Sequence, residues 1–474
     1  MSRPPEALRM IKPLAVIAVM MALGGCAVGP DYKRPAVDVP SAYRGAAGSA
    51  SSQTTFADMQ WWTVLEDPVL QSMIKEALAN NYDLRIAANH VLQARDQLGI
   101  TRANQLPSIS GFAGAERELS PPAIPVNSTF YATGVQFSWM LDFWGQFRRA
   151  TEAARDTLLS TDYAQNAVRL TLISNLAVAY FQLRAFDQEL SSSQRILQTN
   201  QETLRITTLS VDGGASPITD QLQATLLVEQ AQAQITQLEQ SIAQTENQIS
   251  ILLGRNPGDI PRGLTLTEQP HFPEVPIGLP SELLERRPDV REAEEALAAA
   301  NANVGVAKAA FFPQIPLTAS YGATSTSLSD LLKSSASMWS VAGQAVQPIF
   351  EGGKIRYGYK LAWAQRDAAE LSYRETVQQA FADVANALVG YEKSRAFRMK
   401  IEEQTATYAE TARLANDRYR GGSTSFLEVL TTQQQYFTSE LQVAQAWFSE
   451  LQNYVQLYQA LGGGWQPMTA RAGS

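Results

Sequence analysis

The chain is poor in the residues that do chemistry. It has one cysteine, Cys26, and two histidines, His90 and His271, among 474 residues. A lone cysteine makes no internal disulfide, and two distant histidines are a poor basis for a metal site. There is no Ser-His-Asp order, no glycine-rich phosphate loop and no HExxH segment. Acidic neighbours such as Glu294-Glu295 fit solvated helix faces. No enzymatic activity, cofactor or metal is therefore expected. Charge is scarce as well: 18% of residues are charged against 45% hydrophobic, yet the mean hydropathy is slightly negative. The polarity must come from Gln, Asn, Ser and Thr, which suit walls that face one another or line a water-filled passage. The net charge of -8 argues against a nucleic-acid partner.

What is present begins with an address. Arg3, Arg9 and Lys12 precede an apolar run, Pro13 to Leu23, and then small residues. This reads as a signal peptide over 1–25, too short to span a bilayer as a mature helix. It ends in Leu23-Gly24-Gly25-Cys26, the lipobox pattern of bacterial lipoproteins, so the only thiol stands where acylation needs one. Ala27 follows, rather than the Asp that marks inner-membrane retention. Several acyl chains, at about 0.8 kcal/mol per buried methylene, would hold the mature chain on a membrane.

The rest is written twice. Asn81-Tyr82-Asp83-Leu84-Arg85 matches Arg287-Pro288-Asp289-Val290-Arg291, and Pro107-Ser108-Ile109 matches Pro313-Gln314-Ile315, at an offset of 206. Gly145 matches Gly353, Gly213-Gly214 matches Gly421-Gly422, and Leu253-Gly254 matches Leu461-Gly462, at 208. Each copy predicts a helix (Asp83 to Asn104; Asp289 to Ala310) ended by proline, then two short strands. Val135, Phe137, Trp139 and Leu141 alternate with Gly134, Gln136, Ser138 and Met140 in one copy; Ile315, Leu317, Ala319, Tyr321 and Ala323 alternate with polar or small residues in the other. Loops Leu119 to Ser128 and Ser325 to Ser337 join the strands.

Proline is then absent from residues 145–210 and 353–418. Each stretch reads as a helix roughly 100 Å long. A Gly-Gly turn reverses each into a helix with a coiled-coil seam: Ile235, Leu238, Ile242, Ile249 and Leu252, or Phe437, Leu441, Ala444, Phe448, Leu451, Val455 and Tyr458. The expected domains are 26–66, an extended lipid-anchored segment; 67–262, the first repeat; 263–280, a Pro-rich linker; 281–462, the second repeat; and 463–474, a loose tail.

Four strands cannot close a membrane barrel, since the smallest have about 8. Two chains would give eight strands and three would give twelve. The twelve-stranded cylinder, very roughly 25 Å across, leaves a passage. The expected fold is mainly α with a small β part. A homotrimer would form the barrel in outer-membrane lipid, and the long helices would build a second hollow cylinder in the periplasm. The apolar strand positions would face lipid; Gln136, Ser138, Thr318 and Ser320 would face the lumen.

The sequence resembles the TolC-like outer-membrane factors, in their lipoprotein branch, over nearly the whole mature chain. The motifs that carry the resemblance are Cys26-Ala27-Val28-Gly29-Pro30-Asp31-Tyr32, Leu284-Glu285-Arg286-Arg287-Pro288-Asp289-Val290, Gly305 to Pro313, Gln347 to Gly353, and Tyr419-Arg420-Gly421-Gly422. The resemblance implies a trimeric 12-stranded barrel, an α-helical tunnel, and docking to a periplasmic adaptor and an inner-membrane transporter of the resistance-nodulation-division (RND) class. It implies that adaptor hairpins fit between the tips at Gly213, Gly214, Ala215, Gly421, Gly422 and Ser423. It further implies a gate near the second turn, with Tyr419 and Arg420 bracing helices, Leu427 as an apolar ring and Glu428 as an acidic one. Thr431 and Thr424 stand where many relatives carry Asp and a bracing Arg, which leaves the acidic ring to Glu428 or to Asp220. The expected function is an exit duct of a tripartite efflux pump. A type I protein-secretion channel and a non-channel periplasmic scaffold lipoprotein are the alternatives, and the paired strand segments argue against the scaffold.

Overall fold

The computed structural model describes residues 27–44, 56, 59–119, 127–269 and 280–463. The signal peptide, Cys26, His271, most of the Leu119 to Ser128 loop and all but the first residue of the tail lie outside the described residues. The elements are α1 (Trp61–Val64), α2 (Pro68–Asn80), α3 (Tyr82–Ala103), β1 (Ser108–Leu119), β2 (Asn127–Leu141), α4 (Gln146–Asp212), α5 (Ile218–Leu252), α6 (Pro280–Arg286), α7 (Pro288–Ala309), β3 (Ile315–Ser325), β4 (Ser337–Gly343), α8 (Lys354–Arg420) and α9 (Phe426–Ala460). The two long helices have 67 residues each and the two returning helices 35 each. No described helix is long and apolar enough to cross a membrane.

The chain divides into two compact units. The first takes its described residues from Met1–Ala36, His90–Asp162 and Glu292–Arg374. It holds one antiparallel sheet in the order β1-β2-β3-β4. Strand β2 starts well before the alternating stretch that announces it, because it pairs with all of β1 from Ser108↔Ser138 to Leu119↔Asn127. The expected loop after Ser325 contains two short 3-10 turns, Leu328–Asp330 and Ser334–Ala336.

A strap runs through the same unit. Val28 N–H donates to Trp144 O (3.0 Å), and Asn301 Nδ2 donates to Pro30 O (2.9 Å). Arg34 Nε donates to Glu294 (2.6 Å), and Arg149 pairs with Asp31 (2.6 Å). Gly29 has φ +118°, and a Cβ there would sit 2.5 Å from the Gly305 Cα, so the Gly-Pro-Asp-Tyr run is shaped to cross another backbone.

The second unit takes its described residues from Val37–Asn89, Tyr163–Arg291 and Glu375–Ser474. Its core includes Phe56, Leu70, Ile74, Leu176, Tyr180, Ile249 and Tyr454, all fully buried. Helix α2, which the periodicity did not announce, starts at a strong signal: Asp67 caps it by accepting from Val69 N–H (2.8 Å) and Leu70 N–H (3.2 Å), with proline next in line. The seam of α5 buries Ala224, Ala231, Leu238 and Thr245 at strict seven-residue spacing.

Candidate functional site

The register gives the sheet two chemically different faces. Residues directly opposite one another share a face. One row is Ser110, Gln136, Ser320 and Ser340; another on that face is Ser108, Ser138 and Thr318. The opposite face has the rows Ile109, Phe137, Ala319, Val341 and Val135, Tyr321, Trp339. Ile109, Tyr321, Trp339 and Val341 are each at least 65% exposed. So large an apolar area on one side of a sheet asks for an apolar surrounding. Gln136, Ser138, Thr318 and Ser320 fall on one face, the polar one.

At the reversals, the backbone does the same thing twice. Gly213 N–H donates to Leu209 O (3.0 Å), Gly214 N–H to Val211 O (2.9 Å) and Ala215 N–H to Ser210 O (2.8 Å). At positions 208 further on, Gly421 donates to Asp417 (3.0 Å), Gly422 to Tyr419 (2.9 Å) and Ser423 to Arg418 (2.9 Å). Gly214 and Gly422 have φ +73° and +70°, the left-handed conformation that satisfies the last carbonyls of a helix at no steric cost to glycine. A Cβ on either would meet nothing within 4 Å. Conformation alone, and not crowding within the chain, asks for glycine there.

The side chains around the second reversal form a small core. Ala224, Ala415, Phe426 and Val429 are buried together, with Leu204 and Tyr419 packed against them. The Tyr419 and Phe426 rings lie 5.4 Å apart, and the Tyr419 hydroxyl is 3.5 Å from Ser216 Oγ. Leu427, next to the buried Phe426, is exposed. Glu428 is held by Arg418 (2.9 Å) and accepts from the Thr424 hydroxyl. Asp220 lies in the first turn of α5, with no side-chain hydrogen bond or ion pair among the described residues. Arg420 is exposed and lines a groove with Glu202, Tyr419 and Phe426. The Arg205 guanidinium, bonded to Glu202, holds that carboxyl below its usual range.

Sequence reasoning missed Arg418 and Thr424 as partners of Glu428. The signal is geometric: a Schellman-type turn brings the last turn of one helix beside the first turn of the next. It missed Phe426 too, since an isolated aromatic residue after a turn has no periodicity of its own.

Two continuous stretches, residues 73–255 and 279–463, match the family described as outer membrane efflux protein. The solvent efflux pump outer membrane protein SrpC of Pseudomonas putida is 36% identical over 469 residues, covering 96% of this chain and 98% of that protein. The cation efflux system protein CusC of Escherichia coli K12 is 32% identical over 460 residues, covering 95% and 99%. Among solved structures, the open state of the Neisseria gonorrhoeae MtrE outer membrane channel superposes with a TM-score of 0.85 at 33% identity, covering 93% of this chain and 98% of that one.

Proposed function

The chain belongs to the outer membrane efflux protein family, and on that premise we propose that it is the outer-membrane channel subunit of a tripartite efflux pump. It is a passive duct that receives substrates from a periplasmic adaptor and an inner-membrane transporter of the RND class. The observation that carries the reading is the two-faced sheet, whose outer strands β1 and β4 each pair on one side only. An open edge cannot face lipid, so β1 of one copy must pair with β4 of the next. Three copies make twelve strands, enough for a water-filled lumen, whereas eight would fill with side chains.

In this reading the polar rows line the lumen and the apolar rows meet lipid. Residues 67–262 and 281–462 act as two repeats of one plan, and their reversals, at Gly213, Gly214, Ala215 and at Gly421, Gly422, Ser423, dock the adaptor. Leu427 forms an apolar ring and Glu428 the acidic one, with Tyr419 and Arg420 bracing the neighbouring helix; Asp220 is the alternative seat of the acidic ring. Cys26 carries the acyl chains. Ala27 is the nearest described residue to it, and it packs on Gly145 at the junction of β2 and α4, a sensible level for a lipid anchor.

Native mass spectrometry of the full protein extracted from outer membranes tests the assembly: a trimer with conductance in planar bilayers is expected, and a monomer or dimer overturns the reading. The same spectra should show an acylated Cys26 at the mature N-terminus. A free amino terminus at any other residue would sink the lipid anchor while leaving the duct standing.

A further inference from the structure

Within the second unit, a cavity of about 390 Å³ lies where α4, α5 and α9 meet. Its apolar wall is Ile196 from α4, Leu227 from α5, and Phe437 and Leu441 from α9. The remaining lining is amide and hydroxyl, six of the residues being glutamines, with no Asp, Glu, Lys or Arg. The volume falls in the range of small-molecule sites, about 300–1,000 Å³, and most of the surface that the cavity exposes is apolar although many of its residues carry an amide or hydroxyl.

Several of the lining side chains are already engaged. Asn200 Nδ2 donates to Leu227 O (3.1 Å), the Tyr436 hydroxyl donates to Glu440, and the Gln445 amide donates to the buried Glu189. Gln433 differs: its side-chain carbonyl oxygen is out of water and has no hydrogen-bond partner among the described residues. A buried polar atom left unpaired is costly, and in native proteins it usually marks a bound water or ligand.

We propose that this cavity is a binding site for a small, neutral aromatic alcohol of the phenol class. The uncharged wall cannot offset the desolvation of an ion, so the ligand is neutral. The Phe437 ring and its aliphatic neighbours take a flat apolar body. A hydroxyl both donates and accepts, so it satisfies Gln433 whichever way the amide is turned. The site rests on the geometry of one chain and does not depend on the channel reading.

The test uses the full-length protein in lipid nanodiscs and 1-naphthol, by equilibrium dialysis against empty nanodiscs. Saturable uptake at one site per chain is expected. Gln433→Leu should weaken it by about ten-fold, and Leu441→Trp, which fills the cavity, should abolish it. Leu227→Phe serves as a second filling variant should the tryptophan variant not assemble. The anion 1-naphthoate should bind at least about ten-fold more weakly. Uptake equal to that of empty nanodiscs, uptake that survives a filling variant of normal assembly, unchanged affinity in Gln433→Leu, or naphthoate binding as well as naphthol would each overturn the proposal.

Discussion

The two reversals share a backbone and differ in almost everything attached to it. Ile218, Thr219 and Asp220 at the first occupy the positions of Phe426, Leu427 and Glu428 at the second. Ile218 is 57% exposed and Phe426 is 2% exposed. Asp220 has no side-chain partner among the described residues, whereas Glu428 has two. The difference teaches that the turn needs only its glycines, while the side chains beside it are free to specialise. The second tip has a core, an exposed apolar residue beside that core, and a bonded carboxylate. The first has exposed Ile and a bare acid.

The largest expected contrast is in conductance. If the second tip is the constriction, Leu427→Ala combined with Glu428→Ala should raise single-channel conductance several-fold in planar bilayers. Thr219→Ala with Asp220→Ala should change it little, since neither residue adds apolar bulk. Equal effects would break the comparison and move the gate to both tips.

Stability should separate the tips next. Phe426→Ala removes a buried aromatic ring and should cost about 3–5 kcal/mol, while Ile218→Ala at an exposed position should stay within about 0.5 kcal/mol. Urea midpoints of the assembled protein read both.

The same pairing of positions holds farther along α4 and α8, where buried Glu189 corresponds to exposed Phe397. Burial pushes the Glu189 carboxyl up to about 7, and the bond from Gln445 opposes this only partly. The folded state therefore holds the proton more tightly than the unfolded state, where the group titrates near 4.5. Its contribution is fully present below about 4.5 and is lost progressively as pH rises to about 7, a loss on the order of 3 kcal/mol. Glu189→Gln should flatten stability between pH 5 and 8; a variant with the parent's slope would assign that slope to other groups.

The smallest effect is at the ion pair. Both partners are more than a third exposed, so Arg418→Ala should cost under about 1 kcal/mol, and less still at high salt. Its counterpart Ser210 has no charge to lose.

Much of this fold was legible because proline and glycine punctuate it. Pro107 and Pro313 separate helix from strand, and the Gly-Gly pairs fall where both long helices end. Less visible was anything written in small residues. Strand β1 reads Ser-Ile-Ser-Gly-Phe-Ala-Gly-Ala, in which alternation is weak, so its limits emerged only from its pairing with β2. Ala224 and Ala231 belong to the α5 seam, yet a search for large apolar residues passes over them. The family resemblance pointed to Leu427 and Glu428 as gate candidates, but which groups hold Glu428 depends on how a turn juxtaposes two helix ends, and no spacing rule encodes that.

The strap has a consequence for the order in which the chain can be completed. Its later contacts join residues 29–34 to Glu294, Asn301 and Gly305, 260 to 276 residues further on. Synthesis runs from the N-terminus, so Trp144 and Arg149 can engage the strap early, while its contacts to Glu294, Asn301 and Gly305 wait until some 300 residues exist. Until then Gly29 lacks the Gly305 backbone that it crosses. A product truncated before Gly305 would keep its leading end and lose the partner that packs on Gly29, leaving that end loose and open to proteolysis. The strap thus works as a checkpoint in the second half of synthesis, by which only a chain that has passed Gly305 can finish fastening its own beginning.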